Sequence, residues 1–470
     1  MSALGTGAAE LRQAWRDGRA RTALFALLAL AAITLAIGWQ QQARQESDVA
    51  QATAVDRRLW EGQATRNPHS VAHFGQYAFK PAGALSAFDP GLTPWLGTAL
   101  WMEAHYQNSA TYRPAEDQRD QPILATLSGA FVMQILAPLV LIFMGFGLVA
   151  RERERQTLKL ALASGASPVA WLTGKFLALA VVAAILYLPA WAPVMLADSD
   201  DARQRALYLA LAYGVFLLTI AALIIAVSAR AGTARGALLT LLGGWVLMAL
   251  VLPRLGATFA EEVAPSTDTG QFWRDVRAAL EGGIDGHSPA GAREEALLQE
   301  TLRQYGVARE EDLPVSFAGI SMQAGEEHAN VVYDHFYGRL QQDEQRQRRV
   351  LRGVSLLTPW ITVRSLSAGM AGTDAEHHWH FVRATERYRR DLQRYLNGDF
   401  TQNAKGQDFD YQADPRLWRE TAVFSYRAPR VGEVARSYAP DALLLLGWAT
   451  LAVVLMLSAA RTLGREASSS

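Results

Sequence analysis

The sequence predicts an all-α integral membrane protein, with six transmembrane helices and a mainly helical extracytoplasmic domain, and three observations carry that reading. Apolar residues bunch into six long runs instead of recurring at core-forming intervals. The runs hold no ionisable residue at depth. Arginines and lysines collect beside alternate run ends.

A helix needs roughly 20 apolar residues to cross a hydrocarbon core of ~30 Å, and its backbone hydrogen bonds must close within the segment. The stretches 22–39, 126–150, 171–196, 206–229, 234–252 and 442–460 suit that length. The first follows basic residues as a signal peptide would. Its run is long, however, and Gly38-Trp39-Gln40 offers no small-x-small cleavage site, so it reads as a retained span. Arg12, Arg16, Arg19 and Arg21 precede it. Arg151, Arg153, Arg155 and Lys159 follow the second span, Arg230 and Arg235 the fourth, and Arg461 and Arg465 the sixth. The positive-inside rule places all of these, and both termini, in the cytoplasm. The third-to-fourth connection carries Asp198, Asp200 and Asp201 as an outer loop, with Arg203 and Arg205 directly after.

The chain then divides into a cytoplasmic N-terminus with the first span (1–40), a first extracytoplasmic block (41–125), spans two to five with a cytoplasmic segment at 151–168 (126–252), a large helical extracytoplasmic domain (253–439), and the last span with its tail (440–470). All nine histidines (His69, His73, His105, His287, His328, His335, His377, His378 and His380) fall in the two polar blocks.

Several function classes lose their minimum parts. The 45 basic residues are balanced by 45 acidic ones, so no broad basic surface awaits nucleic acid. The absence of cysteine excludes thiolate metal sites and a cysteine nucleophile, and fits a chain exposed to an oxidising compartment without disulfides. An ion-coupled carrier keeps ionisable groups inside its spans. Here only Lys175 and Asp441 come close, near span ends where a long side chain snorkels or a carboxylate reaches the interface. Pro138, Pro189 and Pro193 read as ordinary kinks rather than interrupted transporter helices. No Gly-x-x-x-x-Gly-Lys-Ser/Thr loop, His-Glu-x-x-His helix or Gly-x-Ser-x-Gly elbow occurs. Uphill transport would therefore draw its energy from a partner.

The stretch 151–168 opens with alternating charge, Arg151-Glu152-Arg153-Glu154-Arg155, and becomes apolar on one side. Leu158 and Leu162 share a helical face, with Gly165 and Pro168 ending the helix. Such a helix suits a groove on a cytosolic partner. Glu152, Thr157-Leu158, Ser164-Gly165, Pro168 and Gly174-Lys175 occur in the order in which the permease subunits of type-2 ABC transporters carry a glutamate, Thr-Leu, small residues, a proline and Gly-Lys. The chain resembles that family here, and departs from it at Gln156, where the family often has glycine.

The second polar block reads as helical. A run from 316 to 352 places Phe317, Ile320, Ala324, Val331 and His335 on one face with His328. A second helix, capped by Thr373 or Asp374, carries Phe381, Tyr388, Leu392 and Tyr395, with Glu376, Arg383, Arg387 and Arg390 on its remaining surface. Two clusters stand out, Gln323-x-x-Glu326-Glu327-His328 and Asp374-x-x-His377-His378-x-His380. Within the phrases Phe317 to His328, Arg364 to Gly369 and Gly372 to Phe381, they resemble a subgroup of those permeases with a large periplasmic insert before the last span.

The residues allow a metal site, with His377 and His380 one turn apart and Glu327 or His328 as a third ligand for zinc or copper. They equally allow a capped, packed helix with its acids paired to nearby arginines. A third reading makes the cluster a contact between subunits or with a periplasmic partner. The first polar block, with tryptophans at 60, 95 and 101 beside Phe74, Tyr77, Phe79 and Phe88, reads as a compact aromatic region that packs on the larger block or the membrane surface, or faces a substrate.

The resemblance implies the permease subunit of an ATP-driven exporter in a bacterial inner membrane. ATP and Mg would sit in cytosolic ABC ATPase subunits, with no cofactor in this chain and a second permease copy or paralogue beside it in the bilayer. Coupling to the ATPase would run through Arg151, Glu152, Glu154, Thr157 and Leu158. The rival reading is a membrane-anchored metal- or ligand-binding sensor built on the histidine cluster.

Overall fold

A computed structural model describes residues 2–16, 18–113, 127–163, 165–284 and 288–468. Ser164, His287 and the stretch 114–126, which includes the first residue of the expected second span, lie outside the described residues. The chain is a helical, multi-pass membrane protein. Among the described residues six helices are long and apolar enough to cross a bilayer. The "terminal face" below is the end of the span bundle that bears both chain termini, and the "domain face" is the opposite end.

Helix α1 (Ala3–Arg16) precedes α2 (Gly18–Glu61). At 1.5 Å per residue a helix the length of α2 is about 66 Å long, twice the hydrocarbon core. The expected boundary at 40 is therefore no break, and the first polar block begins as an extension of the first span. Its far end is pinned where fully buried Trp60 donates its indole N–H to the Trp418 carbonyl at 2.9 Å. After α3 (Pro68–Phe74) come two short antiparallel strands, β1 (Gln76–Phe79) and β2 (Ala99–Met102), in register Gln76 to Met102 and Phe79 to Ala99.

The second span, α4 (Gly129–Glu154), starts at the Ser128 cap, whose hydroxyl accepts the Phe131 N–H at 3.1 Å. It widens into a π-turn at Val132–Leu136 just before Pro138, and loosens again at 146–149. Ser228 repairs the second gap by donating to the Phe146 carbonyl at 2.7 Å and accepting the N–H groups of Val149 and Ala150 at 3.1 and 3.2 Å. Helix α5 (Thr157–Ala163) follows as the short amphipathic piece, and α6 (Pro168–Leu186) is the third span. Pro168 starts α6 rather than ending α5, as its fixed φ and missing N–H favour. The expected span 171–196 is interrupted: the α-helix stops at Leu186, and Pro189 sits in a 3₁₀ turn. Helices α7 (Asp200–Arg230) and α8 (Ala234–Val263) complete the central spans.

The polar domain comprises α9 (Thr269–Gly282), α10 (Ala290–Tyr305), α11 (Phe317–Val354), α12 (Pro359–Ala371) and α13 (Ala375–Asn403), and α14 (Val431–Ser468) is the last span. Both long predicted helices of this domain form; Phe317, Phe381 and Leu392 of the expected stripes are buried, while the stripes drift off the buried face toward Val331 in α11 and Tyr395 in α13. Val331 is 58 % exposed while Val332 and Tyr333 are fully buried; Tyr395 points outward while Leu396 is fully buried. The buried face of α11 also takes in Glu326, a residue type that a hydrophobic count assigns to the surface.

Helix α12 does not stay in the polar domain. It packs into the span core, with Trp360 edge-on to Phe216 of α7 at 5.2 Å between ring centroids. Its side chains meet backbone carbonyls that prolines leave free. Pro138 cannot donate to the Gln134 carbonyl, which accepts the Trp360 indole N–H at 2.7 Å instead. Pro253 likewise cannot serve the Ala249 carbonyl, which faces Arg364 Nη2 at 3.4 Å, and the neighbouring Met248 carbonyl accepts Thr358 Oγ1 at 2.8 Å. In lipid an unpaired carbonyl is costly, so these bonds tie both kinked spans to α12.

Candidate functional site

Among the described residues of the expected coupling segment, Arg151, Glu152, Glu154, Thr157 and Leu158 each have a place on the terminal face. Glu152 is ion-paired to the buried Lys175 of α6, and the same ammonium pairs with Glu10 of α1. Lys175 also lies 4.8 Å from the Trp171 ring centre. It does not snorkel; it joins three segments. Its neighbour Gly174 permits the approach of α1, since a Cβ there would stand 2.6 Å from the Ala3 carbonyl oxygen.

Around that joint, Arg153 donates to the Ala229 carbonyl at 2.7 Å. Glu154 accepts the Ala234 N–H at 3.3 Å, and Thr157 Oγ1 donates to the Glu152 carbonyl at 3.2 Å. Arg151 lies over the Phe146 ring at 4.7 Å. The chain turns into α5 at Gln156 with φ +62°, a left-handed conformation that favours glycine. Leu158 is buried in the span core and Leu162 packs against it, as the shared face requires. Leu160 stands 71 % exposed beside them.

On the domain face, Asp374 caps α13 by accepting the His377 N–H at 3.1 Å, and it also holds His377 Nδ1 at 2.7 Å and the Tyr438 hydroxyl. Burial would raise the Asp374 carboxyl, but the bonds from His377 and Tyr438 outweigh it and hold it down at about 2. The other nitrogen of His377 faces Arg205 Nη1 at 3.3 Å. His377 therefore has both nitrogens engaged. His380 Nδ1 bonds the Tyr426 hydroxyl at 3.0 Å. Glu327 is exposed and accepts from Gln323 at 3.0 Å, while Gln323 Oε1 accepts from Asn397 at 3.1 Å. His378 is buried, and burial with Lys80 and Arg113 nearby lowers it to about 3; burial likewise lowers Lys80 to about 8. His328 is half-buried, and its Nε2 has no hydrogen-bond partner among the described residues. Asp441, expected near the interface, is instead buried against Arg352 at 2.8 Å.

Among the described residues the grouping of three ligand-type side chains forms elsewhere, where His69, His73 and His105 bring one nitrogen each within 4.8 Å of the others. Burial and the neighbouring imidazoles lower His69 to about 4. The only predicted cluster residue there is Glu326. It accepts His105 Nδ1 at 2.8 Å and Arg389 Nη1 at 3.1 Å, which outweigh its burial and keep it ionised. The His-x-x-x-His spacing at 69 and 73, straight after a capping Asn67 and Pro68, was the legible sign of this place.

At the domain face lies a cavity of about 1270 Å³. Gln41, Gln45 and Asp48 of α2 line it with Tyr77, Phe79, Trp95 and Trp101 of the first polar block, Gln134 of α4 and Arg364 of α12. The aromatic cluster read from the sequence thus forms a cavity wall rather than packing throughout.

Residues 99–273 match the family model described as ABC-2 family transporter protein, and residues 270–426 match a domain of unknown function (DUF3526). The second match contains both predicted polar clusters. No curated protein and no solved structure matches the chain.

Proposed function

We propose that the chain, part of which matches the ABC-2 family transporter model, is a membrane permease component that works as one of a pair of permeases, driven by separate cytosolic ATPase subunits, exporting cargo across a bacterial inner membrane. Both termini then lie in the cytoplasm, and ATP and Mg²⁺ belong to the ATPase. The observation that carries this reading is the joint at Lys175, which links the segment after the second span to the third span and to α1.

A push on α5 has a defined route. Exposed Leu160 is an apolar knob for a groove on the ATPase, Leu158 passes the load into the span core, and Glu152 passes it to Lys175. Because packed cores are bistable rather than soft, a small shift here is transmitted as tilting of whole helices. The aromatic cavity at the opposite end supplies a release chamber for an amphipathic cargo, which favours the outward direction. Exposed apolar residues such as Phe25, Leu239 and Leu446 face the bilayer or the second permease.

The test is reconstitution with the partner ATPase. The purified chain alone hydrolyses no ATP, and Glu154→Ala, Thr157→Ala or Leu160→Ala in the complex leaves hydrolysis running while transport falls. Normal coupled transport in all three variants would remove this segment from the mechanism.

A further inference from the structure

We propose that His69, His73 and His105 bind a divalent transition-metal ion of the zinc and copper class through three imidazole nitrogens, with a fourth position open to solvent. Nothing in the transport reading requires this site, and it stands or falls separately.

The geometry is already that of a chelate. His69 and His73 are one turn apart on α3, whose start is fixed by Pro68 and by the Asn67 side chain accepting the His69 N–H at 2.8 Å. Their Nε2 atoms are 3.1 Å apart. Two imidazoles on one tetrahedral zinc, at Zn–N distances of about 2.0–2.1 Å, hold their nitrogens about 3.3 Å apart. Two facing imine lone pairs repel at this distance unless a proton or a cation lies between them. The third ring arrives across the hairpin, with His105 centred 5.3 Å from His69 and 5.0 Å from His73.

His105 is held as a ligand is held. Its backbone takes φ +68°, a conformation unusual for a residue with a side chain, and the buried Glu326 fixes it there. Glu326 Oε1 accepts the His105 backbone N–H at 2.7 Å and lies 2.8 Å from Nδ1. With Nδ1–H committed to a carboxylate, Nε2 is left as the free donor, the arrangement that orients and strengthens metal-bound histidine. Arg389, almost fully buried, in turn holds Glu326.

An all-imidazole donor set selects zinc or copper over magnesium or calcium, which demand oxygen. His73 is exposed, so an ion has an entry and a water has a place. The residues straight after His73, Phe74 and Gly75, line the large cavity. A bound ion would brace that wall against α11 and α13.

The experiment uses the full-length chain in detergent, with any affinity tag removed and the protein stripped by chelator. It is titrated with Zn²⁺ against a chromophoric competitor, and separately with Co²⁺. The expected result is one ion per chain, a tetrahedral cobalt spectrum, and affinity weakened roughly 10-fold or more in His69→Asn and in His73→Asn. His335→Asn, an exposed histidine elsewhere on α11, leaves binding unchanged. His73 is exposed, so its variant keeps the fold, and an unchanged elution and melting profile verifies this. Substoichiometric binding, binding that survives His69→Asn with His73→Asn, or binding abolished by His380→Asn instead would overturn the assignment.

Discussion

The ammonium of Lys175, buried at the start of the third span, is ion-paired to Glu152 of the segment that follows the second span. Glu10 closes the same ammonium from α1. Removing one member of a buried pair leaves the other uncompensated, which costs about 3 kcal/mol or more. Lys175→Met is therefore expected to lower the melting temperature of the purified protein and to uncouple transport in the assembled complex. Adding Glu10→Gln and Glu152→Gln restores stability but not coupling. Coupled transport in the triple variant would show the ion pairs to be structural only.

Gln156 supplies an independent test of the same turn. With φ at +62° its side chain costs roughly 1 kcal/mol against glycine. Gln156→Gly should raise the melting temperature slightly and preserve transport. Gln156→Val, β-branched in a left-handed conformation, should lower yield and stability, as thermal unfolding of the two variants side by side will report.

The six spans, the turn after the second span and both long polar-domain helices are legible in the sequence, because each rests on local chemistry: a long apolar run, a capping residue, a motif in fixed order. What is not legible depends on residues far apart in the chain. Helix α12 is too short to cross a bilayer, so its Trp360 and Val363 fall in the outer block, and its place among the spans rests on apolar contacts and on carbonyls freed by Pro138 and Pro253, all supplied by segments distant in the chain. Glu326 reads as a candidate site acid that could pair with a nearby arginine, but which one is hidden, because its partner Arg389 lies on another helix. His105 meets His69 and His73 only because β1 and β2 pair.

The bond from Trp360 to the Gln134 carbonyl is itself open to measurement. Trp360→Phe keeps most of the apolar contact with Phe216 but leaves a carbonyl unpaired among the spans, at a cost of about 1–3 kcal/mol. Adding Pro138→Ala returns the helical N–H to that carbonyl. The double variant should regain much of the lost thermal stability, and an additive loss would show that the carbonyl is not the cause.

His378 sets a pH dependence whose sign follows from its burial. It is lowered to about 3 in the folded chain by burial, with Lys80 and Arg113 adding repulsion, against an ordinary value of about 6.5. Between these values the unfolded chain binds a proton that the folded chain does not. Stability is thus complete above about pH 6.5 and falls as the pH drops below it, by about 1.4 kcal/mol per unit, or about 2 kcal/mol at about pH 5. His69, lowered in the same direction, adds to the trend. His378→Gln removes the titrating group, so its melting temperature should fall less steeply between about pH 7 and about pH 5 than that of the unchanged protein. Parallel slopes would mean that His378 is protonated in the folded state and that its buried nitrogen has found an acceptor.

Arg205 holds the last span to the polar domain from a position that charge counting assigns to an outer loop. Buried at the top of α7, it pairs through Nε with Asp201 at 2.7 Å and directs its guanidinium at the Gly369, Met370 and Pro429 carbonyls and at His377 Nε2. Asp201 at the same time accepts the Val431 N–H, the first residue of α14, at 2.7 Å. A lysine keeps the charge but has no planar fork, so it cannot reach carbonyls on both sides at once. Arg205→Lys should leave insertion intact, since it lies at a span end, and should loosen the contacts among α12, α13 and α14. Hydrogen exchange at 429–434 and 369–377 should rise together in this variant while exchange at the Lys175 joint stays unchanged. A rise at only one of the two segments would show that Arg205 serves them separately and does not clamp them as a unit.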